Sequence, residues 1–124
     1  MAFTILTAVC ETPTFRRSAA AIMPDDEIEE LIDFVAASPT AGVVIPATGG
    51  MRKLRWRRPG TGKRGGARVI YFYYDESMPL LMILAYAKSA SDDMTPEQKR
   101  RARALIREYI GGHRKRGKDE AAQD

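Results

Sequence analysis

The chain is poor in the residues that make metal and redox sites. It has one cysteine, Cys10, and one histidine, His113, in 124 residues. One cysteine excludes an internal disulfide and any cysteine-rich metal site, and a single histidine argues against a zinc site built from protein ligands. No metal and no cofactor are therefore expected. Long apolar runs are lacking too, so no segment approaches the roughly 18–20 residues that a membrane span needs. Met1–Cys10 has no basic residue and is followed at once by Glu11, a pattern of a strand and not of a signal peptide. These absences point to a soluble chain of the cytoplasm with no membrane partner. At 44% hydrophobic and 29% charged residues, the composition is that of a globular domain with its own core.

Charge is the feature present in excess. The net charge is +4, but it is divided unevenly. Residues 1–50 hold only Arg16 and Arg17 against seven acids, whereas residues 51–124 hold 18 basic and nine acidic side chains. Such asymmetry between halves suggests a nucleic-acid partner. Its focus is residues 52–68, with Arg52, Lys53, Arg55, Arg57, Arg58, Lys63, Arg64 and Arg68 and no acid. A polyanion across these cations would relieve their repulsion and release counterions.

Periodicity gives the order β-α-α-β-β-β-α, a small α+β domain with an antiparallel sheet, two N-terminal helices packed on it and a C-terminal helix. The first strand is expected over Phe3–Val9. A helix over 13–22 starts from a Thr12 N-cap, with Phe15, Ala19 and Ile22 on one side. Pro24 opens a second helix with Asp25, Asp26 and Glu27 in its first turn and an apolar stripe of Ile28, Leu31, Ile32 and Val35. It ends before Pro39, and residues 39–50 form a loop. Met51–Arg58 is a strand with Leu54 and Trp56 on one face and Lys53, Arg55 and Arg57 on the other. Pro59–Gly66 is a glycine-rich turn, Ala67–Tyr74 a strand, and Leu80–Lys88 a central strand. Thr95-Pro96-Glu97-Gln98 starts the last helix, which should run to about Ile110 and stop at Gly111-Gly112. The domain then covers 1–112, and 113–124 is a polar, disordered tail. Cys10 and Trp56 read as core residues, as do Tyr71, Phe72 and Tyr73.

Three stretches carry a family resemblance. Ala47-Thr-Gly-Gly-Met-Arg-Lys-Leu-Arg55, Gly60-Thr-Gly-Lys-Arg-Gly-Gly-Ala-Arg-Val-Ile-Tyr-Phe72 and Leu81-Met-Ile-Leu-Ala-Tyr-Ala-Lys88 resemble the RelE/ParE superfamily of toxins, in particular the HigB-like branch of the RelE type. The resemblance implies the toxin of a type II toxin–antitoxin system. Its activity would be a metal-free, ribosome-dependent mRNA endonuclease acting in the ribosomal A site, where the 2′-hydroxyl attacks the adjacent phosphate. Its partners would be an antitoxin of helix-turn-helix type, the 70S ribosome with its 16S rRNA, and mRNA. Lys53 and Arg55 fall on the family's two basic strand positions. Crowded by cations, a lysine can release its proton where an arginine cannot, so Lys53 is the base candidate and Arg55 a phosphate ligand. Arg68 matches the arginine after the glycine turn, and its fork suits two phosphate oxygens. Lys88 matches a basic position on the following strand. Where RelE has an arginine next and a tyrosine seven residues on, this chain has Ser89 and Thr95, so Tyr86, on the strand face of Lys88, is the candidate for the tyrosine's role. Arg52, Arg57, Arg58, Lys63 and Arg64 are expected RNA contacts. The alternatives from other classes are a non-catalytic, ParE-like inhibitor and a basic RNA-binding module that has lost cleavage.

Overall fold

A computed structural model describes residues 6–57, 66–88 and 93–123, with side chains as far as residue 113. The chain divides into two units, Met1–Asp93 and Met94–Asp124. In the first unit the elements are β1 (Val9–Glu11), α1 (Pro13–Ala20), α2 (Asp25–Ala37), β2 (Val43–Val44), β3 (Met51–Trp56), β4 (Ala67–Phe72) and β5 (Leu80–Ala87). The second unit is α3 (Pro96–Gln123). The architecture is α+β, as expected. The five strands lie in the order β1-β5-β4-β3-β2.

The sheet is mixed and not wholly antiparallel, because β1 runs parallel to β5. The first strand also begins later than expected. Leu6–Ala8 form no strand, and Phe3–Ile5 lie outside the described residues. The backbone of this segment is nevertheless engaged, with the Thr7 N–H on the Ala36 carbonyl at 2.8 Å. The expected 39–50 loop holds the short β2, paired antiparallel with β3 through Val43–Lys53 and Val44–Arg52. Buried Thr48 closes the turn between them by donating to the Ile45 carbonyl at 2.6 Å and accepting from the Met51 N–H at 3.2 Å.

Each helix starts where its cap residue puts it. The Thr12 hydroxyl accepts the Phe15 N–H at 3.0 Å and Pro13 fills the first turn. Phe15 and Ala19 are buried, but Ile22 is exposed, since α1 ends at Ala20 and Met23 takes the inward position. Three carboxylates sit in the first turn of α2, where unpaired N–H groups favour anions. Its stripe, Ile28, Leu31 and Val35, packs with Phe15 and Ala19 against Leu54, Trp56, Val69, Tyr71, Leu80 and Met82. In α3, Thr95 and Gln98 bond reciprocally, each side chain accepting the other's N–H, at 2.9 and 3.1 Å. The helix does not stop at Gly111-Gly112, as expected, but continues to Gln123. Neither glycine adopts a positive φ. Each costs about 1 kcal/mol in a helix, while the Arg-, Lys-, Glu- and Ala-rich sequence beyond them favours continuing it.

Two further expectations are corrected. Cys10 is exposed and not a buried hydrophobe, because it lies on β1, the short edge strand. Tyr73 lies beyond the end of β4 and is only half-buried, whereas Tyr71 and Phe72 are buried as expected. The Tyr71 hydroxyl accepts the Gly42 N–H at 2.8 Å and donates to the Pro39 carbonyl at 2.8 Å, fastening the segment that leads into β2.

Two predictions follow from these contacts. Gly66 has φ +59°, and a Cβ there would lie 2.3 Å from the Trp56 carbonyl oxygen; Gly49 has φ +78° with nothing near. Gly49→Ala should therefore cost about 1–2 kcal/mol, the left-handed penalty alone, and Gly66→Ala clearly more. Denaturant midpoints of the two variants check the order. Burial raises the Tyr71 phenol above its ordinary value, against the smaller opposing effects of the Gly42 bond and Arg52. The phenol's contribution is thus complete below about pH 10 and is lost as pH rises through the higher folded-state value. Tyr71→Phe should destabilise at neutral pH by about 1–3 kcal/mol, since the buried Gly42 N–H and the part-buried Pro39 carbonyl lose their partner, and should make stability fall less steeply in alkali. Urea titrations at pH 7 and above 10 measure both.

Candidate nucleic-acid site

The site is a consequence of strand register. Leu54 and Trp56 face the helices, so Lys53 and Arg55 face the other way, as their alternation predicts, while Arg57 follows the end of β3. Strand β4 pairs with β3 so that Arg55 lies directly opposite Arg68. On its other side Arg68 lies opposite Tyr86 of β5. Arg55, Arg68 and Tyr86 thus form one row across three strands.

Tyr86 reaches that row because β5 contains a bulge. Ile70 pairs with Leu84, yet its neighbour Tyr71 pairs with Met82, leaving Ile83 as the extra residue. Leu80 and Met82 face the helices before the bulge, and Ala85 does so after it. The extra residue therefore turns Leu84 and Tyr86 to the opposite face, where Arg68 stands. The bulge is held by Thr12, whose N–H bonds the Met82 carbonyl at 3.1 Å and whose hydroxyl bonds the Ile83 carbonyl at 3.2 Å.

Arg55, Trp56, Arg57, Arg68 and Lys88 line a cavity of about 370 Å³. Arg55, Arg57 and Lys88 are exposed, but Arg68 is 3% exposed. A phosphate ligand is ordinarily expected at the surface, and Arg68, read from the sequence as one, is instead buried. Its strand is flanked on both sides and is buried along its whole length. The Arg68 guanidinium lies 3.5 Å from the Ala67 carbonyl. The turn into β4 is set by Gly66, whose carbonyl accepts the Lys88 N–H at 3.2 Å and so draws the end of β5 to the start of β4.

Other expected site residues fall elsewhere. Lys53 is on the Arg55 face, and its ammonium donates to the Asp93 carboxylate at 2.8 Å. Arg52 is on the opposite face, where its guanidinium holds the carbonyls of Gly42 at 2.8 Å and Thr40 at 3.3 Å. It braces the loop before β2 and does not join the cluster. Arg58, Lys63 and Arg64 lie outside the described residues, as does Ser89. Thr95, at the family's tyrosine position, caps α3. Asp93 was missed by sequence reasoning. The available signal was that Asp92 and Asp93 are the only acids between Glu76 and Glu97. Among the described residues no group of three or more His, Cys, Asp or Glu is placed to hold a metal ion. No helix among them is long and apolar enough to cross a membrane.

No family model matches the chain. Among solved structures, it is similar to a double arginine-to-alanine variant of the E. coli toxin RelE in the free state. The TM-score is 0.51 at 16% sequence identity, over 69% of this chain and 87% of that one. A likeness at that identity is one of fold, and it agrees with the element order and sheet described above: the chain is built on the RelE fold.

Proposed function

We propose that this chain is the toxin of a type II toxin–antitoxin system, a metal-free and ribosome-dependent mRNA endonuclease of the HigB-like branch of the RelE type. The observation that supports it best is Arg55 directly opposite Arg68, with Arg57 and Lys88 around the same cavity. Like charges opposed across strands are unfavourable. A bound phosphate relieves them and takes up the guanidinium forks.

In the reaction, the 2′-hydroxyl oxygen bonds to the adjacent phosphorus and the bond from phosphorus to the 5′-oxygen breaks. A 2′,3′-cyclic phosphate and a 5′-hydroxyl remain. Arg68, oriented by the strands on both sides, holds the phosphate oxygens as negative charge gathers on them, and Arg55 and Lys88 add to that field. Tyr86, next in the row, lies beside the reacting ribose. Arg57, Arg58, Lys63 and Arg64 hold flanking RNA or rRNA by charge. The site is open and carries few groups that accept protons, so the ribosome supplies the RNA geometry. The partners are the ribosome, mRNA and a helix-turn-helix antitoxin in the cytoplasm. The antitoxin neutralises the toxin by covering the basic face or the Arg100, Arg103 and Arg107 ridge of α3. A second reading, an RNA-binding module without cleavage, is favoured by one observation: Thr95 caps a helix where RelE has a tyrosine.

Purified protein should leave free RNA intact and cut mRNA on programmed ribosomes. Equal rates with and without ribosomes contradict the dependence, and ribosome binding without cutting favours the module. Arg68→Ala should lower cleavage by about 10²–10³, the scale of losing one preorganised donor. Because Arg68 is buried, its circular dichroism and thermal midpoint should be recorded beside the rate. A folded Arg68→Ala protein that cuts normally removes Arg68 from the chemistry.

A further inference from the structure

Among the described residues of the basic face, proton acceptors are scarce. Arg55, Arg57 and Arg68 carry guanidinium groups, which have no acceptor. Lys53 donates to the Asp93 carboxylate at 2.8 Å, and an ammonium in that bond has no lone pair to receive a proton. Tyr86 is a phenol and must lose its own proton before it can take another. Asp93 is a carboxylate that, among the described residues, is in contact with this set through Lys53. Its side chain is 74% exposed, whereas that of Lys53 is 29% exposed. The pair therefore presents its acceptor to solvent and holds its donor back.

From this we infer that the Asp93 carboxylate, held by Lys53, is the general base that deprotonates the attacking 2′-hydroxyl. The inference rests on the ribonuclease reading above and assigns a base to the same site. Placement supports it. Lys53 is two residues from Arg55, about 7 Å along β3, while Tyr86 lies on β5, about 9–10 Å across the sheet from β3, and Lys88 directly follows that strand. Arg68 stands on β4 between them. An in-line displacement needs its base and its acid on opposite sides of the phosphorus. With the phosphate on Arg68, Asp93 and Lys53 serve the β3 side and Lys88 serves the β5 side.

The step balances as follows. The 2′-hydroxyl proton passes to an Asp93 oxygen and the freed electron pair forms the bond from O2′ to phosphorus. The bond from phosphorus to O5′ breaks, and its electron pair takes a proton from the Lys88 ammonium. Asp93 then returns its proton to water and Lys88 regains one. Lys53 stays an ammonium throughout, fixing the carboxylate and offsetting charge on the phosphorane.

The test is single-turnover cleavage on programmed ribosomes between pH 5 and 8, by the full chain and by Asp93→Asn and Lys53→Arg. The wild-type rate should rise with pH and level off as the carboxylate ionises. Asp93→Asn, which still accepts a bond from Lys53, should slow cleavage by about 10²–10⁴ and lose the acidic limb. An exposed ion pair adds little to stability, so Asp93→Asn should fold, and circular dichroism checks that it does. Lys53→Arg can hold the carboxylate but cannot act as a base, so it should slow the reaction by only about tenfold and keep the limb. Loss of cleavage in Lys53→Arg with a near-normal rate in Asp93→Asn makes Lys53 the base and overturns the inference. A slow Asp93→Asn that retains the acidic limb assigns Asp93 to positioning and overturns it too. If wild-type protein does not cut at all, the ribonuclease reading fails and the inference falls with it, an outcome distinct from any difference among variants.

Discussion

One extra residue in β5 decides what the sheet can do. Without the bulge at Ile83, the alternation that points Leu80 and Met82 at the helices would carry Leu84 and Tyr86 there as well. A tyrosine would then enter the apolar layer, and the row beside Arg68 would end. Thr12 holds the bulge through the Met82 and Ile83 carbonyls while its hydroxyl also caps α1. The start of the first helix and the aim of the last strand are thus fixed by one residue, through its backbone N–H and its hydroxyl. The Ala85 N–H reinforces the arrangement by bonding the Ser18 hydroxyl of α1 at 3.0 Å.

On the face so created, the fold sets cations against one another. Arg68 is buried in the middle strand and faces Arg55 across a hydrogen-bonded pair of strands. Like charges opposed across strands are unfavourable by themselves, and under the proposed function an oligoanion would take up both guanidinium groups. The opposite face shows the contrast. There the one strand cation, Arg52, is spent on the carbonyls of the 40–42 loop, and Tyr71 binds the same loop from below. Arginines three residues apart on β3 therefore stand on opposite faces with different surroundings, Arg52 on loop carbonyls and Arg55 beside Arg68.

Much of this was legible in the sequence. The α+β class, the caps at Thr12 and Thr95, and the split of β3 into Leu54 and Trp56 against Lys53 and Arg55 follow from local rules of capping and alternation. What was not legible depends on long-range pairing. The parallel β1, the edge strand Val43–Val44 and the bulge are set by partners many residues away. The burial of Arg68 is of the same kind, since its sequence neighbours do not reveal that two strands flank it. The expected strand 80–88 put Tyr86 and Lys88 on one face; β5 ends at Ala87, and only the bulge shows that the face of Tyr86 is that of Arg68. Arg52 was misassigned because a count of cations does not distinguish faces. The place of Asp93 was not legible because its partner, Lys53, is 40 residues away in the sequence.

The central claim is that this basic face promotes attack by the RNA's own 2′-hydroxyl. The ends of the RNA fragments report it directly. After cleavage on programmed ribosomes, the account predicts a 2′,3′-cyclic phosphate on the upstream fragment and a 5′-hydroxyl on the downstream one. A 3′-hydroxyl with a 5′-phosphate, the products of attack by water with loss of the 3′-oxygen, would contradict it.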